Sequence, residues 1–293
     1  MASAKSGKSA AREWPLGSAA RKLLVWLFGP ARGATLAVLM IAAFVAAAWI
    51  GWQRVRDRVL SSPDYLVGPD QVEITPLPPW IHHDIRADVF RDASLDGPLS
   101  ILDDALVDRM ASAFALHPWV AKVRRVSKQH PARVVVELDY RQPVLMVTSR
   151  AGMIPVDLYG TVLPAGDFSA VEAAGYPRLV GVDTPPLGTV GQPWGDARVA
   201  GAAIIAYLLA AQWGPLGLAE IHPSEPAGGR WSDCAFFLTT RAGTKIRWGK
   251  APLGNRSDEP SAEAKIARLE QFVRQHGSLD AAPPGAAPLD LSR

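Results

Sequence analysis

A long apolar run near the start of the chain carries no charged residue: Gly33 to Gln53 reads GATLAVLMIAAFVAAAWIGWQ. As a helix that rises about 1.5 Å per residue, this run covers about 30 Å, the thickness of the hydrocarbon core of a bilayer. Trp49 and Trp52 lie near one end, where indole rings favour the membrane interface. The pattern predicts a single transmembrane helix over residues 34–53, which follows a basic tail at residues 1–33.

The charges that flank this run predict its orientation. Lysine and arginine dominate the segment before it, whereas the arginines after it are partly offset by Asp57 and Asp64. Because positive flanks stay on the cytoplasmic side, we expect a cytoplasmic N-terminus, and the bulk of the chain on the outer side of the membrane. A cleaved signal peptide is the alternative, but its apolar core usually has only 7–15 residues and its basic leader is shorter than this one.

Beyond a turn-rich linker at residues 54–70, the spacing of apolar positions alternates between strand and helix periods. Over residues 71–141 it predicts strand, helix, helix, strand, strand. The segments in order are QVEIT, IHHDIRADVF, SILDDALVDRMASAFAL, WVAKVRRVS and ARVVVELDY. A three-stranded sheet with two helices on one face buries one modest core.

This order of elements resembles the POTRA module. The stretch HPWVAKVRRVSKQHPARVVVELDYRQPV resembles the signature of the FtsQ/DivIB cell-division family. The matching positions are Trp119, Val120, Val126, Pro131, Val134, Val136, Leu138, Pro143 and Val144. One position departs from the family, which usually has an acidic residue where this chain has Tyr140.

Residues 142–293 read mainly as strands, and they continue the resemblance. GMIPVDLYGTVLPA predicts two strands joined by a tight turn at Asp157 and Gly160. YPRLVGV, LGLAEIHP, CAFFLTT and TKIRWG predict further strands, and Arg241-Ala242-Gly243 predicts a hairpin turn. The run from Asp196 to Trp213 predicts a buried helix too short to span a membrane. A second helix follows Pro260 and stops at Gly277.

Together these segments predict an α+β protein. The expected parts are one N-terminal transmembrane helix, a βααββ domain at residues 71–141, and a mostly antiparallel β domain with two helices at residues 142–293. The length of 293 residues fits about two domains outside the membrane, and 48% hydrophobic residues suffice for packed cores.

Composition argues against several other classes. The formal net charge of +3 does not call for a nucleic-acid partner, and the basic group Lys122, Arg124, Arg125 and Lys128 has no interleaved aromatic row. Cys234 is the only cysteine, which excludes an internal disulfide and a multi-thiolate metal site. The chain is therefore expected to bind no nucleic acid.

Motifs for catalysis or cofactors are absent from the sequence. We find no nucleophile elbow, no acyl-enzyme motif in a suitable context, and no G-x-G-x-x-G. His82 and His83 would point about 100° apart on a helix, so they do not easily share one ion. We expect no catalytic residue, no cofactor and no metal site, which argues against an anchored hydrolase.

The last residues, Pro288 to Arg293, predict a strand that resembles the closing strand of the FtsQ/DivIB family. A strand at the edge of a sheet can accept a strand from another protein. In that family, this edge and the preceding helix receive small bitopic coiled-coil partners, FtsB with FtsL. The resemblance implies partner contacts at Leu289, Asp290, Leu291, Ser292 and Arg293. The alternative is that these residues only close the sheet.

The resemblance implies a non-enzymatic, single-pass (type II) protein of the inner membrane, found at the division septum. It would dock the bitopic division proteins that control septal peptidoglycan synthesis. The alternative is a POTRA-containing envelope protein for polypeptide transport or assembly, which usually carries tandem POTRA repeats or an outer-membrane barrel.

Overall fold

The computed structural model describes residues 32–60, 65–95, 99–150, 152–226, 229–252, 259–281 and 289–293. The basic tail at residues 1–31 lies outside the described residues. Residues 63–293 form one compact unit, and the long helix α1 (Arg32–Leu60) belongs to another. Within α1, the span Leu36–Arg56 is long and apolar enough to cross a membrane, with a mean hydropathy of 1.9. The expected N-terminal apolar helix is confirmed.

The elements outside this helix alternate between helices and strands. The helices are α2 (Ile85–Asp92), α3 (Leu106–Ala115), α4 (Ala170–Ala174), α5 (Ala197–Leu208), α6 (Ala210–Trp213) and α7 (Ala262–His276). The strands are β1 (Leu66–Val67), β2 (Val72–Ile74), β3 (Leu99–Ser100), β4 (Val120–Gln129), β5 (Arg133–Tyr140), β6 (Pro143–Ser149), β7 (Gly152–Asp157), β8 (Arg178–Leu179), β9 (Leu218–Pro223), β10 (Ala235–Thr240), β11 (Lys245–Lys250) and β12 (Leu289–Asp290).

The first sheet has the order β2-β5-β4, with α2 and α3 packed against one face. Strand β5 pairs in parallel with β2 and antiparallel with β4. Its alternate residues Val134, Val136 and Leu138 are buried, because successive side chains of a strand point to opposite faces. The predicted strand, helix, helix, strand and strand are all present in this part of the chain, with one further short strand, β3, between the two helices.

Helix α3 begins later than its apolar spacing predicts. Leu99 and Ser100 form a strand that pairs with Leu66 and Val67, so part of the expected linker at 54–70 is a short strand. The side chain of Asp103 accepts a hydrogen bond from the Ala105 amide at 2.9 Å, which forms a turn just before the helix. Local side-chain bonding of this kind competes with helix formation.

The second sheet contains seven strands in the order β12-β11-β10-β9-β8-β6-β7. The sheet is mixed, so the expectation of a mostly antiparallel domain is borne out only in part, by the longer pairings. The pairings β6–β8, β8–β9 and β11–β12 are parallel, whereas β6–β7, β9–β10 and β10–β11 are antiparallel. In each parallel pair, at least one helix lies between the two strands along the chain, as is usual for the crossover connections of parallel strands.

Helix α5 packs against this sheet, as its apolar composition predicts. Its residues Val199, Ala202, Ala203 and Ile205 are fully buried in the core formed with β6, β9, β10 and β11. Asp196 caps the helix by accepting a hydrogen bond from the Arg198 amide at 2.8 Å. The prediction of a buried, Asp196-capped helix is confirmed for Ala197–Leu208, but the rest of the predicted helix forms the separate short helix α6. Helix α7 contributes Leu269 to the same core and brings the chain back toward β11.

Candidate docking edge

Strand β12 is an outer strand of the seven-stranded sheet. It pairs in parallel with β11, with Leu289 opposite Ile246 and Asp290 opposite Arg247. The Leu291 amide donates to the Arg247 carbonyl at 2.9 Å. The predicted last strand is therefore docked on the sheet.

The candidate residues of this strand have different surroundings. Leu291 is fully buried in the core, and Leu289 is half-buried against it. Burial of a leucine side chain is worth about 1.5–3 kcal/mol, so Leu291 anchors the strand. Its side chain therefore closes the sheet, as in the alternative interpretation, and is inaccessible to a partner in this conformation.

Asp290 lies at the open edge. In a parallel pair, successive residues direct their main-chain groups alternately to the two sides. Since the Leu291 amide bonds inward to Arg247, the amide and carbonyl of Asp290 point away from β11. This edge can accept one further strand through the main chain of Asp290.

The side chain of Asp290 fixes the conformation of the chain at the end of the strand. Its Oδ1 accepts hydrogen bonds from the Ser292 amide at 2.9 Å and from the Ser292 hydroxyl at 2.6 Å. These hydrogen bonds lower the pKa of the Asp290 carboxyl below its ordinary value. The carboxylate and the hydroxyl are thus engaged with each other, and the main chain is the part of this residue that is directed outward.

Basic side chains surround the edge. Arg247 is exposed on β11, Arg293 is exposed after β12, and Arg268 of α7 donates to the Arg293 carbonyl. Neither Arg247 nor Arg268 is among the contacts expected from the sequence. The alternation in TKIRWG gave a signal for Arg247, because Ile246 and Trp248 on either side of it are buried. No local pattern indicates that Arg268 reaches the last strand, since that contact joins distant segments.

The surroundings of Cys234 and of the basic group on β4 do not favour a chemical role for either. Burial raises the pKa of the Cys234 thiol, which disfavours the reactive thiolate. In the basic group of β4, Arg124 pairs with Asp139 at 2.6 Å, and Lys128 donates to the Asp103 carbonyl at 2.7 Å. These two cations are engaged within their own module.

The chain matches no protein-family model, and no curated protein matches it.

Proposed function

We propose that this protein is a membrane-anchored scaffold of the cell-division machinery, similar to FtsQ/DivIB. It crosses the inner membrane once, with its N-terminus in the cytoplasm and its folded part in the periplasm. It performs no reaction itself. It docks small bitopic coiled-coil proteins of the FtsB/FtsL kind and so controls septal peptidoglycan synthesis.

Two features support this proposal. A candidate membrane span precedes the compact unit formed by residues 63–293. The first sheet and its helices follow the order strand, helix, helix, strand, strand, as the POTRA module does. An anchor confines the protein to the membrane surface, where short bitopic partners are also confined.

The observation that carries the proposal is the edge position of β12. Its inner side bonds to β11 while the main chain of Asp290 points outward. A partner segment that adds a strand here gains affinity from main-chain hydrogen bonds. Exposed arginines at the rim, Arg247 and Arg293, speed the encounter with an acidic segment more than they add affinity.

A pair of substitutions at one residue tests this docking mode. Asp290→Pro removes the outward amide donor, and proline is tolerated at the open side of an edge strand. Asp290→Ala keeps that donor while removing the same carboxylate. We expect Asp290→Pro to weaken capture of the FtsB-like partner in a pulldown about 3- to 10-fold more than Asp290→Ala does, the usual value of one main-chain hydrogen bond.

Equal capture by the two variants, with both folded by circular dichroism, would show that the partner does not add a strand at Asp290. These point substitutions are sharper than a truncation of residues 289–293, because a truncation also removes the buried Leu291 from the core.

The cellular role is tested by localisation. A fluorescent fusion to the full chain should concentrate at mid-cell during constriction. A uniform envelope signal in dividing cells would contradict a division role and favour a POTRA-containing protein of polypeptide transport.

A further inference from the structure

Two histidines and an aspartate meet between the start of α2 and the end of α3. His83 lies just before Asp84, the residue that caps α2, and Asp88 lies in the first turn of that helix. His117 follows α3. Each of His83, Asp88 and His117 presents one potential ligand atom, and these atoms all lie within 4.8 Å of one another. All three residues are half-buried.

The imidazole of His83 lies between two carboxylates. Its Nδ1 is 3.2 Å from Asp167 Oδ1, and its Nε2 is 3.0 Å from Asp88 Oδ2. If Nδ1 donates its proton to Asp167, Nε2 directs a lone pair toward the Asp88 oxygen. Two lone pairs at this distance repel each other unless a proton or a cation lies between them.

Asp167 is itself held in place from the other side. Its Oδ2 accepts a hydrogen bond from Nε1 of the fully buried Trp119 at 2.6 Å. A carboxylate that orients a histidine through the ring nitrogen opposite the metal is the usual support of a metal-binding histidine. Asp88 is supported too, because its Oδ1 pairs with Arg91 while Oδ2 faces His83.

His117 supplies a second imidazole. Its ring is half-buried, and one ring nitrogen lies within 4.8 Å of the ligand atoms of His83 and Asp88. Its Nδ1 accepts only a long hydrogen bond, at 3.3 Å, from the Trp119 amide. Metal binding gives up this hydrogen bond in either mode, because Nδ1 then either binds the metal or carries the ring proton.

We propose that His83, Asp88 and His117 bind one divalent cation of the Zn²⁺ class, and that Asp167 positions His83. Zn²⁺ binds nitrogen and carboxylate oxygen at about 2.0–2.2 Å, so tetrahedral ligands lie about 3.3 Å apart. The His83–Asp88 pair is near this spacing, and the remaining ligand atoms close in by side-chain rotation. Asp88, Asp167 and Arg91 sum to one negative charge when both histidines are neutral, which suits a dication.

The proposed site is open to solvent, from which the ion and a fourth ligand can come. His83 lines an open groove of about 710 Å³ that runs beside β2. The side chains of His83 and Asp88 are 37% and 25% exposed, so an ion can enter from solvent, and water completes the coordination. The bound ion fastens α2 to the end of α3, and through Asp167 it stabilises the contact between the first module and the segment after β7.

Metal titration of the full chain tests the site. The protein is purified in detergent without a polyhistidine tag, stripped with a chelator, and titrated calorimetrically with zinc chloride alone. We expect one high-affinity ion per chain. His83→Ala and His117→Ala should abolish this binding step, and Asp167→Asn should weaken it about 10- to 100-fold. Cobalt(II) should give the visible absorption of a four-coordinate site.

The control is His82→Ala. His82 neighbours His83 but pairs with Glu172 at 3.1 Å, so its removal should leave the binding step unchanged. Circular dichroism of each metal-free variant separates loss of the site from loss of the fold. The proposal is wrong if the parent chain shows no stoichiometric binding, or if the folded double variant His83→Ala, His117→Ala still binds the ion.

Discussion

Tyr140, the residue that departs from the resembled family pattern, links two neighbouring strands of the first sheet. Its hydroxyl donates to the Thr75 carbonyl at 2.6 Å, just beyond the end of β2. The Thr75 hydroxyl in turn accepts the Leu138 amide at 2.8 Å. Tyr140 thus connects β5 to β2 by a neutral hydrogen bond, and a carboxylate at this position would face the carbonyl with no proton to donate.

We expect Tyr140→Phe to lower the free energy of unfolding by about 1 kcal/mol, the usual net value of such a hydrogen bond. Denaturant titration of the parent and the variant measures this difference. Tyr140→Phe keeps the ring, so an unchanged stability would show that the hydroxyl contributes nothing.

The same residue predicts a pH effect. Burial raises the pKa of Tyr140 to about 12. Because the unfolded phenol loses its proton near pH 10, the folded state holds more protons between pH 10 and 12, and stability falls as the pH rises through this window. The Tyr140→Phe variant should therefore lose less stability than the parent between pH 10 and 12.

At the scale of elements, α5 shows how closely a helix can approach the sheet. Gly201 lies on its buried face, where an added Cβ would be 2.7 Å from Cζ of the Phe236 ring on β10. The absence of a side chain permits this approach. Gly166, outside the core, has no heavy atom within 4 Å of the corresponding position.

We predict that Gly201→Ala lowers the free energy of unfolding by about 1–3 kcal/mol, because overpacking of the core outweighs the better helix propensity of alanine. Gly166→Ala is the matched control and should leave stability unchanged or slightly higher. Thermal or denaturant unfolding measures both. A stabilised Gly201→Ala variant would show that the neighbouring side chains rearrange to accommodate the added methyl group.

Helices α5 and α7 and the strands β4, β5 and β9–β11 were predicted from periodicity and turn residues alone. Gly277 illustrates why: its φ of 85° ends α7 in a conformation that suits glycine. Strands β1 and β3 were missed, because two-residue strands carry no period and form only when distant segments pair.

The whole molecule divides into α1 and the compact unit of residues 63–293. We expect the full chain to remain in the membrane pellet after an alkaline carbonate wash, and a chain that begins at Pro63 to stay in solution. A mature chain shortened near residues 46–49, found by mass spectrometry, would instead indicate a cleaved signal peptide.

Sequence by itself determined the apolar helix, the strand and helix order of the first module, and the chemistry available at each position, since these follow from local periodicity and composition. Only the tertiary structure decided the strand order of the second sheet and the burial of Leu291. It also brought His83, Asp88, His117 and Asp167 together. The physical reason is the same for all of these features: they depend on contacts between residues far apart in the chain, which no local pattern encodes.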